Sequence, residues 1–119
     1  MALELHRWLA IVSAVLLAGA VVESAWSFRG RSVDPPAGSR LRGVAIIALL
    51  VTIAGGLGLL LGGARPRELL HVVYAAIAVG ALPVAASISR SWDARRIRIA
   101  TLIGTLIMLV AVLRLFATG

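Results

Sequence analysis

The 119 residues suffice for one domain, and a 61% hydrophobic content with a mean hydropathy of +1.01 is far above what a water-soluble domain carries. No cysteine is present, which excludes disulfides, thiolate metal sites and thiol chemistry. The net charge of +7 rests on arginine without any lysine, and because these arginines sit between apolar runs they read as topology signals, with no nucleic-acid partner expected.

Four apolar stretches follow one another, each of about 20 residues, the length at which a helix matches the hydrocarbon core of a bilayer. The first runs from about Arg7 to Phe28, with tryptophans at both ends. Its basic flank follows the span instead of preceding it, opposite to a cleaved signal peptide, so it is read as a retained span. A polar joint, RGRSVDPPAGSRLR, leads to a second span over about Gly43 to Gly63, rich in glycine in its second half. The very short GGARPRE joint leads to a third span over about Leu69 to Ser89, which contains Pro83 and is expected to kink there. After RSWDARRIR, a fourth span covers about Ile97 to Ala117.

Lipid offers no hydrogen-bond partner to the backbone, so these spans are helices. The fold expected is all-α: an integral membrane, up-down-up-down four-helix bundle formed by a single transmembrane domain over residues 1–119. Arg29, Arg31, Arg40 and Arg42 flank the first joint and Arg90, Arg95, Arg96 and Arg98 the third. Cytoplasmic loops carry the excess of positive charge, which places loops 29–42 and 90–98 in the cytoplasm and both termini outside, in a prokaryotic inner (plasma) membrane.

Candidate chemical groups are few. His6 opens the first span in LHRWLA and His71 opens the third in LHVVYA. Spans one and three run parallel in such a bundle, so the two imidazoles fall at one depth near the outer surface. Two histidines on diagonally opposed helices are how a membrane bundle holds haem iron axially, which makes His6 and His71 the expected ligands of one haem b. Zinc would require further ligands that the chain does not offer nearby. Small residues beneath the histidines, Ala10, Ser13 and Ala20 in span one and Ala75, Ala78 and Ala85 in span three, leave room for a flat ring. Ordinary small-residue helix packing explains the same pattern. Arg7, Arg65, Arg67 and Arg114 lie on the histidine side and suit the haem propionates, since guanidinium meets carboxylate bidentately. Arg114 lies within a span, so it either meets such a partner, snorkels outward, or pairs with Glu68 or Glu4.

Glu23 lies near the opposite end, about 25 Å along the helix from His6. It invites a proton-coupled transport reading, or else pairs with Arg42, Arg95 or Arg98.

The segments GGLGLLLGGARPRELLHVVYAAIA and LHRWLA resemble the corresponding parts of haem A synthases, whose two fused four-helix halves each carry a histidine pair. The resemblance implies a single half-bundle spanning nearly the whole chain, with His6 and His71 as axial ligands. Family members carry a catalytic glutamate three residues before the first histidine; here that position is Leu3 and the acid is Glu4. The combined expectation is a b-type cytochrome-like membrane subunit for electron transfer or haem handling, not an enzyme on its own. Its partners are the lipid bilayer and other membrane subunits or a second copy. The alternatives are a cofactor-free structural or assembly subunit and a small proton-coupled transporter using Glu23.

Overall fold

The computed structural model describes residues 1–29, 37–66 and 68–118, apart from the side chains of 27 and 37–39. It consists of four helices, α1 (Ala2–Ser27), α2 (Ala37–Leu61), α3 (Leu70–Ile88) and α4 (Ala94–Thr118), and no strand occurs among the described residues. All four are long and apolar enough to cross a membrane. The expected spans fall on these helices, but α1 starts five residues earlier than Arg7 and α2 six earlier than Gly43, because helix continues into polar residues where lipid-based reading stops.

The exterior confirms the setting. Val15, Val22, Ile47, Val84 and Val110 are all more than half exposed, as expected when the surrounding medium is lipid. Apolar residues surround α2 on every side, unlike the one-sided stripe of a soluble surface helix. The interior is small: Leu17 of α1, Ala45 and Leu49 of α2, Ala78 of α3, and Met108, Ala111 and Val112 of α4 form one buried cluster. These are the features of an integral membrane protein.

Helix ends follow local chemistry. At the end of α2, Gly63 takes φ +94, the left-handed region that glycine enters without a Cβ clash. The Ala64 N–H then donates to the Leu59 carbonyl and the Gly63 N–H to that of Leu60, closing a Schellman motif. Asp93 precedes α4 and its Oδ1 accepts the Arg96 N–H at 2.9 Å, an N-cap that also brings the Arg96 guanidinium to 3.4 Å from the carboxylate.

Packing is organised as two hairpins: α1 lies along α2, α3 lies along α4, and α1 joins the pairs through α4. The very short connection after α2 predicts that α2 and α3 are neighbours, yet these two share at most marginal contact. Small residues at a seam allow close approach, and α3 and α4 have such a set. A Cβ at Gly104 would stand 3.0 Å from Ala85 Cβ and 3.3 Å from the Ala81 carbonyl, so Gly104, Ala81 and Ala85 set that seam. In the other hairpin, Ser13 Oγ and Thr52 Oγ1 lie 3.2 Å apart and buried, while each also bonds a carbonyl of its own helix, that of Leu9 or Ala48. Two hydroxyl protons serve three contacts, so one is shared.

Gly104→Leu is expected to lower stability by ~1–3 kcal/mol through overpacking. Gly43→Ala, where an added Cβ meets nothing within 4 Å, should be neutral or slightly stabilising. Unfolding of the two variants in mild detergent, followed by circular dichroism, distinguishes them; equal stability would place the α3–α4 seam elsewhere.

Candidate functional site

The antiparallel register carries both histidines to one end of the bundle. His6 sits in the first turns of α1 and its ring lies on the glycines of α2: a Cβ at Gly56 would stand 2.9 Å from His6 Cε1, and one at Gly55 would lie 3.9 Å from Nδ1. Only a glycine surface lets an imidazole lie so near the α2 backbone. The same contact leaves His6 Nδ1 buried with no hydrogen-bond partner, the one such side-chain atom among the described residues. An orphaned polar atom of this kind costs about 1–3 kcal/mol unless something completes it.

His71, in the first turn of α3, turns toward the last turn of α4. Thr118 Oγ1 lies 3.5 Å from His71 Nδ1, at the outer limit of a hydrogen bond, and the backbone of Leu115 also interacts with the ring. Thr118 itself is held by donating to the Arg114 carbonyl at 3.1 Å. His6 is within electrostatic reach of His71, although the two belong to different hairpins.

Arg114, exposed near the end of α4, donates Nε to the Tyr74 hydroxyl at 3.4 Å and stands 5.7 Å from the ring centroid. Glu68 lies within its electrostatic range but forms no ion pair with it. Of the expected partners, neither Glu68 nor Glu4 pairs with it; the guanidinium lies along Tyr74. Arg7 and Arg65 are exposed at the same end, and Arg67 lies outside the described residues.

Three of the small residues beneath the histidines are engaged in packing. Ser13 is engaged with Thr52, Ala78 belongs to the buried cluster, and Ala85 is pressed against Gly104. Ala78, however, also lines an open groove on the side of the bundle. What suits haem at this end is the donor set: two imidazoles from different hairpins, one with an unpartnered nitrogen and the other with a hydroxyl and a backbone group behind it, the outer support that orients ligating histidines. Among the described residues no group of three or more His, Cys, Asp or Glu side chains is clustered for a metal.

Glu23 is partly buried near the far end of α1 and forms no ion pair among the described residues, so neither Arg42 nor Arg95 nor Arg98 neutralises it. Thr118 was not a sequence candidate. Its signal was present only in the α3–α4 register, which sets Tyr74 opposite Arg114 and His71 opposite Thr118.

Comparison with protein-family models, with curated proteins and with solved structures finds no match to this chain. What the fold and site define is a class: a four-helix membrane bundle with a histidine pair at one end.

Gly56→Ala should displace the His6 ring and shift its imidazole resonances in a histidine-labelled sample in micelles. Gly58→Ala, which meets nothing within 4 Å, should leave them in place. Coincident His6 spectra for the two variants would mean that the ring does not rest on Gly56.

Proposed function

We propose that this chain is a membrane haem-binding subunit, b-type cytochrome-like, which serves electron transfer or haem handling within a larger complex. The observation that supports it is the convergence of His6 and His71, which are far apart in sequence, at one end of the bundle and within electrostatic reach of each other. The buried, unpartnered Nδ1 of His6 adds to it, since an imidazole left short of a partner is available to one. In this reading His6 and His71 are the axial ligands, and Thr118 orients His71. Arg7, Arg65, Arg67 and Arg114 offer cationic partners to the propionates, with Arg114 exchanging its Tyr74 contact for a carboxylate. When bound, haem supplies one-electron redox chemistry, and two histidine ligands leave no open iron position for oxygen. A single haem at one end of the bundle reaches only one face of the membrane, so the subunit relays electrons or stores haem on that face.

The same proposal includes the orientation. The arginines flanking the joints at the far end belong to the cytoplasmic side, which leaves the histidine end and both termini outside, in a prokaryotic plasma membrane.

A second reading has one observation in its favour. His71 already ties α3 to α4 through Thr118 and Leu115, which is what an interfacial polar residue of a cofactor-free assembly subunit would do.

A reduced-minus-oxidised visible spectrum of protein purified from haem-replete cells separates the two. The haem reading expects a low-spin spectrum that is lost in both His6→Ala and His71→Ala. Colourless protein, or a spectrum unchanged in the double variant, would favour the assembly subunit. The orientation is tested separately, because the chain has no cysteine of its own. A cysteine at Ala64 should react with an impermeant maleimide added outside intact cells, and one at Ser91 only after the membrane is opened; the reverse pattern would invert the topology.

A further inference from the structure

The marginal contact between α2 and α3 leaves a groove of about 430 Å³ on the side of the bundle, within the range of small-molecule sites. Its floor and walls are apolar, formed by Ile46, Leu49 and Leu50 of α2, Leu82 and Pro83 of α3 and Met108 of α4. Its polar side chains are gathered at one end: Arg42 of α2 and Thr101 of α4, both near the starts of their helices. From Arg42 to Leu50 the wall runs about 12 Å toward the membrane centre.

Arg42 is partly buried at this mouth, and among the described residues no hydrogen bond, ion pair or ring contact engages it. An arginine at the edge of an apolar slot is costly without an anionic partner. Arg40, Arg95 and Arg98 lie near the same end; of the described acids there, Asp93 is taken by Arg96 and Glu23 forms no ion pair with Arg42.

We propose that this groove is a binding site for one anionic glycerophospholipid, with an acyl chain along Ile46, Leu49 and Leu82 and the phosphate at Arg42, with Thr101 as a hydroxyl donor. The shape excludes neither a protein helix nor a second copy, but the charge selects the lipid. Two copies joined by this face would bring two uncompensated Arg42 guanidiniums into one apolar interface. A phosphodiester supplies the missing negative charge at headgroup depth, while its tail fills a slot that α2 and α3 leave open. The site lies at the opposite end from the histidines, so it stands or falls independently of haem.

The test uses delipidated full-length protein in mild detergent, titrated with phosphatidylglycerol or with phosphatidylcholine of the same chains, and native mass spectrometry to count bound lipid. One phosphatidylglycerol should be retained with about fivefold preference over phosphatidylcholine, the effect of a single arginine near the surface. Arg42→Gln should abolish the preference and Arg42→Lys should keep most of it. Ala86→Trp, which places bulk on the groove wall, should lower occupancy by both lipids, and Ile46→Trp should do the same if the first variant loses helicity. Equal retention of the two lipids by the unaltered protein would overturn the proposal. So would a preference that survives Arg42→Gln, or a dimer that Ala86→Trp dissociates.

Discussion

Everything in this structure depends on the requirement that backbone polar groups inside lipid be bonded within the chain. It leaves only helices for the four apolar stretches, and it removes the force that would pack them in water, because lipid tails are as apolar as leucine. The helices are held instead by close contact where residues are small and by a few hydrogen bonds between side chains. Gly104 against Ala81 and Ala85 is the first kind, and Ser13 with Thr52 is the second. Between α2 and α3, by contrast, contact is at most marginal.

That uneven packing shapes the chemistry available. The hairpin seams engage several of the small residues, Ser13 with Thr52 and Ala85 against Gly104 among them. Polar side chains act at the ends of the bundle: His6, His71, Thr118 and the Arg114–Tyr74 pair at one end, Arg42 and Thr101 at the other. The two ends are chemically distinct. One gathers two imidazoles, one of them with an unmet nitrogen, and the other an arginine without an ion pair among the described residues, facing an apolar groove.

Glycine plays three different parts along α2. Gly56 is a platform for the His6 ring, Gly63 is the left-handed turn that ends the helix, and Gly58 faces open space. Composition alone gives these residues one common meaning, close approach, and the structure assigns that meaning to Gly56 and its neighbour Gly55.

The four spans, their order and the all-α class were legible in the sequence, because runs of about 20 apolar residues have only one solution in a bilayer. The shared end of His6 and His71 was legible too, since alternating helix direction follows from the count of crossings. What each ring touches was not. Gly56 beneath His6, Thr118 behind His71 and Tyr74 under Arg114 all depend on the rotation and register of helices that are apolar on every side, for which periodicity carries no signal. The open groove between α2 and α3 was equally hidden, because a short connection makes two helices neighbours in sequence without bringing their side chains into contact. The chain's apolar lengths determined that it crosses a membrane four times; the packing of a few small residues decided which helices touch, and through that which polar groups remain unpartnered.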